Sequence, residues 1–221
     1  MYNCVLFDMD GTLVDSYPGI FHAYEQTLRE MNRPFGGDSF VRRAIGAPLP
    51  WVFRELCGLD EAETAEAVRR YRDCYARQGQ REAAAYAGIA DALRQLRQAG
   101  RRLGVATLKK EAFAAEILER LGLLACFDAV CGADGDDRQT KADLIRRCLR
   151  RTGNRPEETI LVGDSVFDAA GAQEAGVACL AVTYGFGFQT PEERAHPAVV
   201  LTADTPADIV RQLLPAGGQK A

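Results

Sequence analysis

The sequence predicts an α/β protein in which a parallel-sheet core carries an inserted all-helical domain. Residues 4–7 form a short apolar strand, and about 70 residues with helical periodicity follow it. From residue 86 onward, short apolar strands alternate with helices, a pattern that indicates a parallel sheet. We assign residues 1–15 and 86–221 to the core and residues 16–85 to the helical domain, which is called the insertion below.

The first strand ends in two carboxylates. Asp8 and Asp10 follow residues 4–7 directly, and side chains two positions apart in an extended segment point the same way. Two ionised carboxylates that share a site repel each other unless a cation lies beside them, which implies a hard divalent metal. Gly11 permits a sharp turn, and Thr12 can hydrogen-bond within it. The alternative is an Asx-type turn, but that turn needs only one aspartate.

The insertion shows two amphipathic segments with a loop between them. Apolar residues recur at helical spacing at Ile20, Phe21, Tyr24, Leu28 and Met31, and again at Ala65, Val68, Tyr71 and Tyr75. Between these segments, Asp38 or Ser39 is predicted to cap a short helix that ends near Gly46, and Pro50 to start the next helix. Residues 46–49 are predicted to form a rigid loop.

The core is predicted to bring three strand ends together. We predict strands at 103–106, 129–131, 160–162 and 178–182, an edge strand at 199–201, and helices at 88–99, 110–121, 141–152 and 168–175. In open α/β sheets, ligands bind beyond the carboxyl ends of the strands. Asp8, Thr107 and Asp164 all fall at such ends, so we predict a site there. Residues 215–221 are predicted to be a loose end.

Two residues suggest an anion site. Thr107 lies between a strand and a predicted helix, so its hydroxyl and the following backbone N–H groups could bind phosphate, although threonine is also a common N-cap. Lys141 starts a helix, where the helix dipole disfavours a cation, and a functional role would explain its position. The alternative for Lys141 is an exposed lysine, and for Lys109 and Lys110 we predict exposure.

A second pair of aspartates follows another predicted strand. Asp164 and Asp168 follow an apolar strand and open a helix, where residues four apart share a face. Either residue could merely cap that helix. Together with Asp8 they offer enough oxygen ligands for Mg²⁺, which prefers carboxylates, waters and substrate phosphate.

Composition narrows the function classes. Two histidines nearly exclude a histidine-built metal site, and a net charge of −4 gives no general attraction for nucleic acid or membranes. The seven cysteines are scattered through apolar patterns, which favours buried free thiols. We find no leader-like segment and no apolar run near the roughly 18 residues of a membrane span. We therefore expect a cytoplasmic protein, and we separately predict a monomer or weak homodimer.

With these motifs assembled, the chain resembles the haloacid dehalogenase superfamily of phosphatases, in the branch with a helical cap inserted after the first strand. The matching motifs are Asp8-Met9-Asp10-Gly11-Thr12, Thr107, Lys141, and Gly163-Asp164 with Asp168. The resemblance implies a Rossmann-like parallel-sheet core in which the insertion is an all-helical cap domain. Finer features at 15–20, 45–49, 86–89, 136–143 and 184–187 resemble phosphoglycolate phosphatase-like and nucleotidase-like members.

Two positions depart from the superfamily pattern. Leu108 stands where a small polar residue usually follows the threonine, so one phosphate contact must come from its backbone N–H. Ile20 occupies the position at which the superfamily's sugar-phosphate mutases carry histidine, and His22 is out of register. A mutase is therefore disfavoured.

The resemblance implies a catalytic role for each motif residue. Asp8 would attack phosphorus and form an aspartyl-phosphate, while Asp10 would protonate the leaving oxygen and later activate water. Thr107, Leu108 and Lys141 would bind the phosphoryl oxygens.

The resemblance also implies the metal ligands. Mg²⁺ would be held by Asp8, Asp164 and the backbone carbonyl of Asp10. Asp168 would complete this acidic group by orienting a metal-bound water or Lys141.

Substrate choice is predicted to rest on the insertion. Arg42 and Arg43, beside the loop with Gly46 and Pro48, are candidates to hold the carboxylate of a small phosphorylated metabolite such as phosphoglycolate. The alternative for both arginines is a solvated helix face.

Two aromatic residues of the insertion raise a nucleotide as an alternative substrate. Trp51 and Phe53 could stack on the base of a nucleotide, but core packing explains them equally well. We predict that Tyr184, Phe186 and Phe188 serve first as loop packing.

A different functional class stays open at this point. A phospho-accepting signalling domain also combines acidic residues, threonine and lysine on a doubly wound sheet, but its domain would be shorter and would lack a cap. A catalytically inactive, binding-only relative is a further alternative, although every motif residue is present in this chain. Magnesium-dependent release of phosphate would distinguish an enzyme from both.

Overall fold

The computed structural model describes residues 2–134 and 139–214. Its strands are β1 (Cys4–Phe7), β2 (Val14–Asp15), β3 (Ala84–Ala85), β4 (Arg102–Lys110), β5 (Ala129–Ala133), β6 (Thr159–Gly163), β7 (Ala178–Val182) and β8 (Val199–Ala203). Within these residues, a six-stranded sheet has the order β5-β4-β1-β6-β7-β8, and every neighbouring pair is parallel. The predicted edge strand is confirmed as β8.

Helices cover both faces of this sheet. The α-helices are α1 (Tyr17–Glu30), α2 (Gly37–Ala44), α3 (Leu49–Trp51), α4 (Glu61–Arg77), α5 (Ile89–Gln98), α6 (Glu111–Arg120), α7 (Lys141–Thr152), α8 (Val166–Ala175), α9 (Pro191–Arg194) and α10 (Pro206–Leu213). A π-helical turn, Val52–Leu56, continues α3.

Strand β1 lies at the centre of the sheet because its residues are apolar on both faces. Side chains alternate along a strand, so Val5 and Phe7 join one buried cluster and Cys4 and Leu6 join the other. The first cluster includes apolar residues of α5, α6 and α10, and the second includes those of α7 and α8. A central strand buried on both faces is typical of parallel α/β sheets, and the predicted fold class is confirmed.

The insertion leaves and re-enters the core through a short antiparallel ribbon. Strand β2 pairs with β3, with Val14 opposite Ala85. Helices α1 to α4 lie between these strands in sequence, and α1 packs against α4. Helix α1 also approaches the residues that follow α4 closely at Gly19, where a Cβ atom would overlap the backbone carbonyl of Gly79. Both positions therefore require glycine.

The predicted side-chain cap of the short helix in the insertion was wrong. Helix α2 begins at Gly37 without a side-chain cap, because the Asp38 carboxylate instead accepts hydrogen bonds from Tyr17 and Arg42. The hydroxyl of Ser39 donates to the Gly36 carbonyl. The predicted loose end at 215–221 and part of the 136–143 segment lie outside the described residues.

The cysteine prediction is confirmed. All seven cysteines are free, and those at 4, 74, 131, 148 and 179 are buried. Within residues 2–134 and 139–214, no helix combines the length and apolar character needed to cross a bilayer.

Candidate active site

The carboxyl ends of β1, β4 and β6 meet beneath the insertion. A cavity of ≈ 90 Å³ lies between this edge of the sheet and helices of the insertion. Predicted residues that line it are Asp8, Asp10, Gly46, Pro48, Thr107, Leu108 and Lys141. The structure thus brings most of the predicted site residues to one cavity.

Lys141 bridges two buried aspartates. Its Nζ lies 2.6 Å from Asp8 Oδ1 and 2.7 Å from Asp168 Oδ1. A capping box between Thr140 and Asp143 starts helix α7 and fixes Lys141 at the first helical position. Burial alone would lower the pKa of Lys141, but Asp168 and Asp8 outweigh it and raise the pKa above the usual value for lysine. The two carboxylates thus explain why a lysine lies at the start of a helix, where the helix dipole disfavours a cation.

Asp168 has both carboxylate oxygens engaged. Its Oδ2 accepts hydrogen bonds from the backbone N–H and the hydroxyl of Ser165, at 3.1 and 2.7 Å. Its Oδ1 faces Lys141. Because the third residue of a helix can reach back to the residue before the first turn, the start of α8 aims Asp168 at the site. This arrangement favours the interpretation that Asp168 orients Lys141.

Asp164 is held by a loop that the sequence prediction treated as packing. Its Oδ2 accepts from the backbone N–H groups of Phe186 and Gly187, at 2.8 and 3.3 Å. Its Oδ1 is buried and has no partner within the described residues. Burial, followed by the charges of Asp168 and Asp8, raises the pKa of Asp164 well above its usual range. The Gly-Phe-Gly pattern at 185–187 was the sequence signal for this close backbone approach.

These carboxylates fit a divalent cation. Oxygen atoms of Asp8, Asp164 and Asp168 lie within 4.8 Å of one another. When ionised, the three acids and Lys141 leave a formal charge of two negatives, which a divalent ion would balance. Burial, with help from Asp168 and Asp10, raises the pKa of Asp8 to about 6 although Lys141 opposes the change. Hard oxygen donors and the unpartnered Asp164 Oδ1 suit Mg²⁺.

Asp10 is paired with a lysine that we predicted to be exposed. Lys109 Nζ lies 3.0 Å from Asp10 Oδ2, and only 7% of the lysine side chain is exposed. The prediction for Lys109 was wrong because β4 continues to Lys110 with an irregular register, and this places Lys109 beneath the insertion. Lys110 is exposed, as predicted.

Thr107 is buried inside β4 and does not lie at a helix N-terminus. Helix α6 begins only at Glu111, and the Thr107 hydroxyl accepts a hydrogen bond from the Lys109 backbone N–H at 3.2 Å. The predicted anion site at the start of a helix is therefore wrong. Thr107 and Leu108 still line the cavity, so any phosphate contact there comes from the end of a strand.

The insertion contributes its loop but not its predicted arginines. Gly46, with φ of +84°, sits so close to the core that an added Cβ atom would lie 3.2 Å from Ser165 Oγ. Arg42 and Arg43 are exposed and are not among the cavity-lining residues. Arg42 instead pairs with Asp38 at 2.8 Å. This placement favours the solvated-face interpretation for both arginines.

Other lining residues were not predicted as part of the site. Arg72, Lys109 and Lys110 bring positive charge to the cavity, and Tyr71 and Tyr75 bring aromatic rings from α4. The helical spacing of the two tyrosines marked their face, but only as insertion core.

The candidate base-stacking residues lie elsewhere. Phe53 is fully buried within the insertion, with ring centroids 5.7 Å from Tyr24. Trp51 is 37% exposed and contacts the ring of Phe167 edge-on at 5.9 Å. Phe188 is buried and Tyr184 donates to the carbonyl of Thr12, as expected for loop packing.

Known proteins are similar to this chain over nearly its full length. A protein from Pseudomonas aeruginosa named 5′-nucleotidase is 36% identical over 214 residues, which cover 96% of this chain and 96% of that protein. Phosphoglycolate phosphatase 1 of the same organism is 33% identical over 226 aligned residues, covering 98% of this chain and 80% of that protein. The crystal structure of a predicted phosphatase from Clostridium acetobutylicum is similar with a TM-score of 0.90 and 32% identity, covering 96% and 98% of the two chains.

The family assignment rests on the match over most of the core together with the insertion. The model that describes haloacid dehalogenase-like hydrolases matches residues 5–182, a range that runs from β1 to β7 and contains every residue of the acidic cluster. The chain therefore belongs to the haloacid dehalogenase-like hydrolase family.

Proposed function

We propose that this protein is a magnesium-dependent phosphomonoester hydrolase that acts through an aspartyl-phosphate on Asp8. The arrangement of buried charge carries the proposal: Lys141 lies 2.6 Å from Asp8, and Asp8 and Asp10 line the same cavity. The names of the two Pseudomonas relatives support hydrolysis of a phosphate ester. The three buried acids near Lys141 support a divalent cation.

Catalysis divides between the two aspartates of the first motif. A carboxylate oxygen of Asp8 attacks phosphorus while the bond to the leaving oxygen breaks, and Asp10 gives a proton to that oxygen. Water then attacks the phosphoryl group on Asp8, and Asp10 takes a proton from the water as inorganic phosphate leaves. Lys141 and Thr107 stabilise negative charge on the phosphoryl oxygens throughout.

The acidic cluster supports these steps by holding the cation and Lys141 in place. When bound, Mg²⁺ would offset the negative charge that the phosphoryl oxygens carry. The Asp8 and Asp164 side chains and the backbone carbonyl of Asp10 would hold it. Asp168 would keep the Lys141 ammonium directed at Asp8, since its own oxygens are already engaged.

We propose a small phosphorylated metabolite as the substrate, with phosphoglycolate as the first candidate. Arg72 and Lys110 line the cavity and could attract a second negative group. A 5′-nucleotide is the second candidate, because Tyr24, Tyr71 and Phe113 give the same cavity an aromatic wall. The cytoplasmic location and the monomeric or weakly dimeric state remain part of this proposal.

Phosphate release tests the proposal. Purified protein is assayed with p-nitrophenyl phosphate, phosphoglycolate and a panel of nucleoside 5′-monophosphates, in Mg²⁺ and in EDTA. We expect turnover only with Mg²⁺, and inhibition by Ca²⁺, whose larger and more flexible coordination misplaces the attacking oxygen. Asp8→Asn should abolish turnover because an amide cannot attack phosphorus, whereas the exposed Asp73→Asn should retain it.

Two results would contradict the proposal. Appreciable hydrolysis by Asp8→Asn would remove Asp8 as the nucleophile. Failure of the wild type to release phosphate from any substrate in Mg²⁺ would return the protein to a phospho-accepting or binding-only class.

A further inference from the structure

Lys109 lies between the core and the insertion. Its Nζ is 3.0 Å from Asp10 Oδ2 on one side and 4.3 Å from the ring centroid of Tyr75 on the other. Asp10 follows β1 and Lys109 belongs to β4, whereas Tyr75 belongs to α4 of the insertion. One ammonium group therefore contacts a candidate catalytic carboxylate and the insertion above it.

Burial makes this position costly for a lysine. An ammonium group taken out of water loses its hydration, and a nearby carboxylate and aromatic face must offset the loss. Lysine has a long flexible chain that could instead carry the ammonium group to solvent. Lys109 keeps 7% of its side chain exposed, and Asp10 keeps 13%. The pair is therefore held in one geometry.

That geometry separates the two oxygens of Asp10. Lys109 anchors Oδ2, while Oδ1 is buried and has no partner within the described residues. Asp10 lines the cavity, so Oδ1 is the oxygen left to exchange a proton with a bound substrate. An anchored oxygen restricts rotation of the carboxylate, and proton transfer depends on such alignment.

Tyr75 connects this arrangement to the insertion. Its ring is 1% exposed, stacks on Tyr71 with centroids 6.0 Å apart, and contacts Phe113 of α6 at 5.7 Å. Movement of α4 away from the core would remove the aromatic face from Lys109. The contact between Lys109 and Asp10 is therefore expected to depend on the position of the insertion.

We infer that Lys109 is a positioning residue, which orients Asp10 for proton transfer and does so fully only when Tyr75 of the insertion covers it. The inference rests on the proposed hydrolase function and deepens it. It assigns Lys109 to the proton-transfer step, separately from phosphate binding by Lys141.

Leaving-group dependence provides the test. Because p-nitrophenolate leaves without a proton, whereas an alkoxide needs one, we compare kcat/KM for p-nitrophenyl phosphate with that for the alkyl phosphomonoester hydrolysed best by the wild type. Lys109→Met should lower kcat/KM for the alkyl ester by about 100-fold and for the aryl ester by less than about tenfold, within the range for a positioned acid. Lys109→Arg, which keeps the cation, should recover part of the alkyl activity.

Controls separate positioning from general damage. Arg77→Met, at an exposed position of α4 outside the cavity lining, should leave the alkyl-to-aryl ratio unchanged. Tyr75→Leu should lower the ratio in the same direction as Lys109→Met, and Tyr75→Phe should preserve it because the aromatic face remains. Thermal unfolding of each variant shows whether it is folded.

Each outcome of these assays has a different interpretation. Equal losses on both substrates in Lys109→Met would overturn the positioning role. An unchanged ratio in Tyr75→Leu would overturn the link to the insertion. If Lys109→Met does not fold, the same comparison in Lys109→Arg and Tyr75→Leu decides the question. If the wild type hydrolyses neither ester, the proposed function itself fails, and that result is distinct from the other outcomes.

Discussion

Replacing Asp8 with asparagine should stabilise the metal-free protein while it abolishes activity. Asp8 is 4% exposed, and burial first, then Asp168 and Asp10, raises its pKa from 3.8 to about 6. A difference of this size corresponds to about 3 kcal/mol of unfolding free energy that the ionised carboxylate costs at pH 7. Asparagine removes the charge at nearly the same volume and keeps an oxygen that can accept from Lys141.

The sign of the pH dependence follows from the raised pKa. The Asp8 carboxyl holds its proton to higher pH in the folded state than in the unfolded chain. Its contribution to stability is therefore fully present below pH 3.8 and is lost as the pH rises through about 6. The advantage of Asp8→Asn over the wild type should be largest at pH 7 and should shrink as the pH falls toward 4.

Thermal unfolding in EDTA measures this difference. For a chain of this length, about 3 kcal/mol corresponds to a rise in Tm of roughly 6–12 °C. Asp73→Asn, on the exposed face of α4, is the matched control and should show no comparable rise. Saturating Mg²⁺ should raise the Tm of the wild type and should raise that of Asp8→Asn much less.

Two outcomes would refute this reasoning. A Tm for Asp8→Asn at or below the wild-type value in EDTA at pH 7 would show that the buried carboxylate is not a net cost. An advantage that stays constant between pH 7 and pH 4 would show that ionisation of Asp8 is not its source.

Three further predictions concern the reaction and its specificity. Asp10→Asn should release p-nitrophenol in a stoichiometric burst followed by slow turnover, because activation of water becomes limiting. The intact mass should then show an acid-labile phosphoryl adduct, whereas loss of turnover without a burst or adduct would assign Asp10 to positioning. Arg72→Ala should raise the KM for phosphoglycolate more than for p-nitrophenyl phosphate, whereas Arg42→Ala should change neither; the reverse ranking would restore Arg42 as the specificity residue. Gly46→Val should lower kcat/KM, since a β-branched residue fits neither the positive φ nor the space beside Ser165; wild-type kinetics would show that the loop moves freely.

Local patterns were enough to predict the architecture. The apolar run of β1 predicts a strand buried on both faces, and the alternation after residue 86 predicts the parallel sheet, because both depend on side-chain periodicity within a few residues. Helix α7 has the predicted bounds, and in the structure a capping box and a terminal glycine mark its two ends. The same logic placed Asp8, Thr107 and Asp164 at one edge of the sheet.

Only the tertiary structure could decide which charges face one another. The burial of Lys109 depends on the irregular end of β4 and on Tyr75, which lies 34 positions away in the sequence. The hydrogen-bond donors to Asp164 come from the loop after β7. The cavity is lined by Arg72 of α4 and not by Arg42. Periodicity tells which face of an element is apolar, but it does not tell which polar side chains from distant elements meet across a cavity. That is set by how the insertion packs on the core.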